Sequence, residues 1–389
     1  MKVLYVLAPN DRFNYGDILF PHIISKSLKA FDKCIFVSTT KSDLSKYGAM
    51  PTESLEILQD VNPSDSNYLI VAGGECLTVS WETILGYIDS DVDRLKRWMS
   101  YRYIRKLRPC VLKWFSYFKR KIKTRYPFSI GKNELPAFKR VIYNSLGRCY
   151  LRKNPGVLLE KKTRAILSSV DYLAVRDKMT YEALQSNGIP CFLRPDSAIL
   201  MSAIFTEDYL ESHMTVDKRK FDLGNYIFFQ TYAIDKQKES QLIEIIKSIY
   251  SKYKKKFVLC PIGTALGHND QKTLLRISQK LDKEIEAFID TPNIWDIMWL
   301  IKHSCLYSGT SLHGTITAMS FAIPFAVHGP VKLRSYIDTW APAMGKCFSD
   351  EDGLLANIER QLERPEICDI SEQMESIRRS FQKIEELLE

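Results

Sequence analysis

SGTSLHGTITAMSFAIPFAVH (308–328) is the stretch whose reading decides the fold. The apolar run 304–307 ahead of it breaks at Ser308-Gly309. Thr310 or Ser311 stands where a helix cap belongs, and GTITAMSFA supplies the helix body. Ile323-Pro324 ends that helix, because a residue before proline is pushed out of the α region. FAVH (325–328) reads as the next strand. Strand, tight turn, helix and strand make a βαβ unit of an α/β domain. One histidine, His313, falls in the first helical turn. Unpaired N–H groups and the positive end of the helix dipole suit a phosphate or carboxylate there. The same place equally suits a residue that only packs or caps.

The pattern continues outward in both directions. Toward the N-terminus, KVLYVLA (2–8), CIFVS (34–38) and NYLIVAGGE (67–75) read as buried strands. Residues 18–30 have helical spacing, with Asp17 placed as their N-cap. Gly73 and Gly74 end the third strand, where paired glycines admit a ligand, another backbone or a plain turn. VDYLAVRD (170–177), a helix closed by Gly188 and a short strand in 189–198 follow. Residues 200–222 are polar and read as an irregular link. NYIFFQTY (225–232) opens a second series: a helix over 236–253, a strand over 256–262, a helix over 270–282, a strand over 286–290 and a helix over 293–303. The tail 370–388 reads as a helix able to return to the first domain. The expected domains are 1–222 and 223–389, a size that suits two units.

Composition narrows the class. The chain is 45% hydrophobic and 26% charged, ordinary for a globular protein. No apolar run approaches the ~18 residues of a membrane span, and the opening run stops too early for a signal peptide. The nine cysteines form no C-x-x-C, so they read as reduced thiols of a cytoplasmic protein, with no zinc site expected. No G-x-G-x-x-G occurs, which argues against a dinucleotide fingerprint. The net charge of +9 is uneven. Segment 92–140 holds 16 Lys and Arg against Asp93 and Glu134, a net of +14, and the remainder carries −5. Within it, Ile104, Leu107, Val111, Trp114, Phe115, Phe118 and Ile122 recur at three- and four-residue steps, a helical stripe flanked by cations. A basic helical insertion of this kind suits an anionic membrane surface. It also suits a helical layer packed on the first domain. No nucleic-acid motif accompanies the charge.

NYGD (14–17), AGGE (72–75), AVRDKMTYEALQSNGI (174–189), RPDSAI (194–199) and the 308–329 stretch occur together in this order. The set resembles the polysaccharide pyruvyl transferase family, over most of the chain except the insertion. The resemblance implies two Rossmann-like domains facing a cleft, the GT-B type, with the site between them. It implies transfer of a pyruvyl group from phosphoenolpyruvate to a sugar of a cell-surface polysaccharide precursor, forming a ketal, with no cofactor and no metal. One position departs: where family members read R-L-H-G, this chain has Ser311-Leu312-His313-Gly314. Either another basic group replaces that arginine, or the donor differs, or activity is lost.

The chemistry selects the candidates. The donor carries a carboxylate and a phosphate, which call for cations and aimed N–H groups. A sugar hydroxyl must give up its proton, and His313 is the expected base for it or else a donor on the phosphate side, since histidine is the side chain suited to proton transfer near neutral pH. Arg176, after a buried strand, is the expected anion clamp, or else the ion-pair partner of Asp177. Lys332 and Arg334 are the basic residues nearest to replacing the missing arginine. Asn14 and Asp17 lie at the first strand's end, placed to face the cleft from the other side, with Asp17 equally read as only a helix cap; Gly73 and Gly74 end the third strand. Asp196 reads as an orienter of an acceptor hydroxyl or a turn residue, and Ser311, Leu312 and Gly314 surround the histidine. His268, Asn269 and Asp270 form a polar loop in the second domain, which suits a site or a plain surface turn equally. The acid that protonates the donor carbon has no candidate from sequence. Competing readings are a GT-B glycosyltransferase using a nucleotide sugar, and a non-catalytic membrane-associated glycan assembly protein. The expected partners are phosphoenolpyruvate, a glycan or lipid-linked oligosaccharide acceptor and an anionic membrane surface, with no nucleic acid. The expected location is the inner face of the membrane, peripherally.

Overall fold

The computed structural model describes residues 1–90, 92, 94, 124–153, 155–267, 270–350 and 352–389. The first sheet contains β1 (Lys2–Leu7), β2 (Lys33–Ser38), β3 (Glu53–Ser54), β4 (Ser66–Ala72), β5 (Phe138–Leu146), β6 (Tyr172–Val175) and β7 (Phe192–Leu193). The second contains β8 (Tyr226–Gln230), β9 (Lys256–Leu259), β10 (Glu286–Phe288), β11 (Leu306–Gly309), β12 (Phe325–His328) and β13 (Phe348–Ser349). Every pairing is parallel, in the orders β3-β2-β1-β4-β5-β6-β7 and β10-β9-β8-β11-β12-β13. Parallel strands need helical crossovers on both faces, and the central strands are accordingly largely apolar and mostly buried. In each sheet the strand order reverses once, between β1 and β4 and between β8 and β11. The crevice at such a reversal, outside the carboxyl ends of the strands, is where α/β sheets bind ligands. The two Rossmann-like halves of a GT-B fold bring these crevices face to face.

The helices that matter are α1 (Tyr15–Ser27), α2 (Lys178–Gln185), α3 (Lys236–Tyr253), α4 (Asp270–Ser278), α5 (Ile294–Lys302), α6 (Leu312–Ser320) and α7 (Ser371–Leu388). Helix α6 starts at Ser311, whose side chain accepts the Gly314 N–H at 3.2 Å. It stops before Pro324: Phe321 is its C-cap and Ala322 turns left-handed at φ 57°. Helix α5 carries a full capping box between Asn293 and Asp296.

Several expectations need correction. Helix α1 begins at Tyr15, so Asp17 lies within its first turn and Asn14 occupies the cap position without a side-chain cap bond. The 200–222 link is not irregular; helices Met201–Ile204 and Glu207–His213 and the short turn of helix Lys218–Lys220 fill most of it. Strand β5 went unread, because its basic start at Lys139 and Arg140 resembles the preceding charge run. The insertion therefore ends before 138. Residues 124–137 already pack on the first sheet, burying Tyr126, Phe128, Ile130 and Leu135. The apolar stripe from Ile104 to Ile122, with Trp98, lies outside the described residues. No helix among the described residues is long and apolar enough to cross a membrane. Helix α7 reaches the first sheet: Arg140 Nε donates to the Leu387 carbonyl at 3.2 Å, and Tyr172 and Ser380 hydroxyls meet at 2.9 Å.

Candidate active site

Loops from the carboxyl ends of both sheets enclose a cavity of about 420 Å³. The backbone clasps the halves together there. Tyr15 N–H donates to the Ile262 carbonyl at 2.9 Å, and Thr264 N–H to the Phe13 carbonyl at 3.1 Å. The Tyr15 hydroxyl meets Thr317 Oγ1 of α6 at 2.9 Å. From the other side of the sheet, Trp340 Nε1 donates to the Arg176 carbonyl at 2.7 Å.

His313 crosses between the halves. It belongs to α6, yet its ring packs edge-on against Phe20 of α1 at 5.4 Å and lies directly over Gly16. A Cβ on Gly16 would fall 1.7 Å from His313 Nδ1. The helix start is therefore a buried one, with His313 8% exposed, not the open position its place in the sequence suggests. His313 Nε2 lies 3.4 Å from Asp196 Oδ2 and 3.5 Å from Arg176 Nη1. Asp196 heads the turn after β7, and its Oδ1 accepts the Ala198 N–H at 2.9 Å. Burial alone pushes the Asp196 carboxyl up, but His313, Arg176 and the Ala198 N–H outweigh it and bring its pKa down to about 2.

Arg176 is fully committed to acids of its own half. Nη1 binds Asp196 at 2.7 Å and Nη2 binds Glu75 at 3.2 Å, with the guanidinium buried. The anticipated ion pair with Asp177 is absent, because that carboxylate caps α2. It accepts from Thr180 N–H and Oγ1 at 2.9 Å each and from Ser335 at 3.2 Å. Gly147 makes room for the Arg176–Glu75 pair: a Cβ there would meet Arg176 Nε at 2.6 Å and Glu75 Oε1 at 2.7 Å.

The C-terminal wall is built differently. Asp270 opens α4, and its Oδ2 accepts Gln230 Nε2 at 2.8 Å, Gly263 N–H at 3.1 Å and Ile262 N–H at 3.3 Å. Gln230 Oε1 in turn accepts the Thr310 N–H at 3.1 Å. Lys332 and Arg148 line the cavity from opposite halves, and neither makes a salt bridge among the described residues. Leu312 and His313 are the first two residues of α6, so their N–H groups have no intrahelical acceptor.

Of the anticipated residues, Asn14, Asp17, Gly74, Arg176, Ser311, Leu312, His313 and Lys332 line the cavity, with Asp270 beside them. Asp196 stands behind His313, not on the wall. Gly73, at φ 152°, serves the turn: a Cβ there would meet Cys76 Sγ at 2.7 Å. Gly74 is the glycine of close approach, with Arg176 Nη1, Asp17 Oδ1 and His313 Cε1 all 3.5 Å from its missing Cβ. Gly314 packs on Tyr307 instead, and Arg334 turns away to Asp338 at 2.9 Å. His268 and Asn269 lie outside the described residues. Sequence reading missed Glu75, Arg12, Arg148 and Gln230. Glu75 follows the glycine pair and carried a signal; Arg148 follows the unread strand β5 and carried none. Glu75, Cys149 and Asp177 place ligand-type atoms within 4.8 Å of one another. The two carboxylates are already committed to Arg176 and to the α2 cap, and burial raises the Cys149 thiol.

A family model described as polysaccharide pyruvyl transferase matches residues 14–328. No curated protein is significantly similar in sequence. Among solved structures, the UDP-GlcNAc 2-epimerase of Methanocaldococcus jannaschii superposes with a TM-score of 0.53 at 14% identity, over 99% of each chain. That of Neisseria meningitidis gives 0.51 at 14%, over 100% of this chain and 99% of that one. The S. aureus MnaA–UDP co-structure gives 0.54 at 12%, over 93% and 88%. At these identities the likeness is one of fold.

Proposed function

Because the chain belongs to the polysaccharide pyruvyl transferase family, a family of transferases, we propose that it moves a pyruvyl group from phosphoenolpyruvate to a sugar of a cell-surface polysaccharide precursor, closing a ketal. The observation that carries this reading is His313, set at the start of α6 on the cavity wall with a carboxylate at 3.4 Å behind it. With Nε2–H given to Asp196, Nδ1 is the nitrogen left to take a proton from a sugar hydroxyl. Arg176, whose Nη groups are both occupied, is read as a positioning residue for Asp196 and Glu75. The donor's anionic groups fall to Lys332, Arg148 and the free N–H groups of Leu312 and His313. Lys332 and Arg148 thus stand in for the arginine that Ser311 replaces.

The basic segment at 92–140 extends the reading to location. Cations interleaved with Trp and Phe suit an anionic leaflet, with each cation near it worth about 1 kcal/mol. A peripheral position at the inner face, acting on a lipid-linked acceptor, follows from it.

Thermal unfolding of the full chain tests the donor. Phosphoenolpyruvate should raise the melting temperature, as any ligand selective for the folded state does, and UDP-sugars should not. A rise with UDP-sugars alone would sink the reading in favour of a nucleotide-sugar glycosyltransferase.

A further inference from the structure

Pyruvyl transfer needs an acid as well as a base. The donor's CH2 carbon must gain a proton before its neighbour becomes electrophilic. His313, beside an ionised carboxylate, is placed to receive a proton. The acid must come from elsewhere on the wall. We propose that Asp270 is the general acid that protonates carbon 3 of phosphoenolpyruvate, an assignment that rests on the donor reading above.

The geometry is specific. Asp270 is buried and lines the cavity from the C-terminal half. Its Oδ2 accepts three N–H groups, from Gln230 at 2.8 Å, Gly263 at 3.1 Å and Ile262 at 3.3 Å. No described residue donates to Oδ1. A proton on this carboxyl therefore resides on Oδ1. Gln230 cannot swap its amide ends, because Oε1 is held by the Thr310 N–H at 3.1 Å. The carboxyl is thus fixed in one orientation.

No Arg, Lys or His makes a salt bridge with Asp270 among the described residues. Among the described residues, the titratable groups that act on it are Lys332, Cys260 and Tyr307, and burial keeps the last two protonated. Burial raises Asp270 as well, against the pull of its N–H donors and Lys332, to a pKa of about 7. Asp196, from the other half, lies at about 2. Two carboxyls driven apart in this way divide into a proton-bearing acid and a permanent anion.

The step balances. Asp270 Oδ1–H gives its proton to carbon 3 as the enol π pair forms the new C–H bond. A sugar hydroxyl attacks carbon 2 and passes its proton to His313. The bond from carbon 2 to the phosphate oxygen then breaks, the pair leaving with phosphate, and a second hydroxyl takes its place. That hydroxyl's proton departs as part of hydrogen phosphate. The proton on His313 restores Asp270.

Calorimetry of phosphoenolpyruvate binding to the full chain tests the assignment without an acceptor. A bound trianion raises the proton affinity of Asp270, so at about pH 8 the wild type should take up as much as about one proton per donor bound. The uptake is read from the dependence of the heat on buffer ionisation enthalpy. Asp270→Asn should bind the donor without that uptake, and Asp270→Glu should retain it. In the wild type alone, uptake should fall between about pH 8 and about pH 6, since the carboxyl is then protonated before the donor arrives. Equal uptake by Asp270→Asn, or level wild-type uptake over that range, overturns the role of Asp270 while leaving the donor standing. No binding heat in the wild type overturns both.

Discussion

Asp196→Asn removes one negative charge from a place where three groups depend on it. Oδ2 lies 2.7 Å from Arg176 Nη1 and 3.4 Å from His313 Nε2, while Oδ1 accepts the Ala198 N–H at 2.9 Å. An asparagine oxygen can keep the Ala198 bond, but its NH2 group then faces Arg176, donors against donors. The magnitude can be worked two ways. A pKa of about 2 in place of 3.8 corresponds to about 2–3 kcal/mol in favour of the ionised folded form. Deleting one partner of a buried ion pair costs about 3–5 kcal/mol, because the other charge is left uncompensated. Glu75, 3.2 Å from Nη2, keeps part of that compensation, so the expected loss is about 3 kcal/mol, at the low end of that range. For a unit of ~200 residues this is about 6–12 °C in melting temperature.

The pH dependence has a definite sign. The folded pKa is depressed, so the stabilisation is complete above about pH 4 and is lost as the pH falls toward about 2. Urea unfolding followed by circular dichroism should show a wild-type advantage that is level from about pH 8 to about pH 5 and shrinks below about pH 4. Turnover at neutral pH should drop by about 10²–10⁴, because His313 loses the acceptor that orients it. A variant as stable as wild type at neutral pH, or an advantage that persists undiminished near pH 2, would refute the reasoning.

Gly16→Ala places a methyl group 1.7 Å from His313 Nδ1; the displaced ring should cost about 10²-fold in turnover, and melting should fall by a few degrees, because overpacking costs about 1–3 kcal/mol and the helix-propensity gain of about 1 kcal/mol offsets only part of it. Turnover within a few-fold of wild type would show that the ring position is not critical. Lys332→Ala should weaken phosphoenolpyruvate binding about tenfold at low salt and less at high salt, where screening already reduces the attraction; an unchanged affinity in calorimetry removes Lys332 from the donor site. Purified protein should sediment with anionic vesicles, less with neutral ones, and less again at high salt. Replacing Trp114, Phe115 and Phe118 by Ser should release it, and a wild type that ignores anionic vesicles ends the membrane reading.

What the sequence revealed follows from how local each feature is. Helix α3 and the 308–328 unit were legible because cap, periodicity and breaker all lie within one short window. Asp235 caps α3 through Lys238 N–H, and Ser311 caps α6 through Gly314 N–H. Strand β5 was hidden because charge at its start outweighed the buried run Val141–Tyr143 behind it. Within the site, His313 was legible from its helix start, but its partners were not. Asp196 and Arg176 are separated from it by more than a hundred residues, and the two sheets alone bring them together. Arg176 is the instructive case: an arginine after a buried strand suggests an anion clamp, yet the acids that occupy it, Glu75 and Asp196, arrive on two other strands' loops.

Ser311 stands where the family resemblance implies an arginine, and its place in the fold gives it a positive role. A serine before the first turn of α6 ties down the Gly314 N–H, a cap worth about 1 kcal/mol. It leaves the Leu312 and His313 N–H groups without an intrahelical acceptor at the cavity, where an anion is favoured by dipole and donors together. An arginine side chain at 311 would add charge but give up that cap. In this chain the charge stands instead on Arg148 and Lys332, one from each half. Cations on opposite walls can hold one anion between them, so donor binding on this reading draws on both halves. The clasp between Tyr15 and Ile262 and the packing of His313 over Gly16 hold the two halves against each other at this wall. A glycine at 16 is required by that packing, since the histidine ring passes over the start of α1 to reach Asp196.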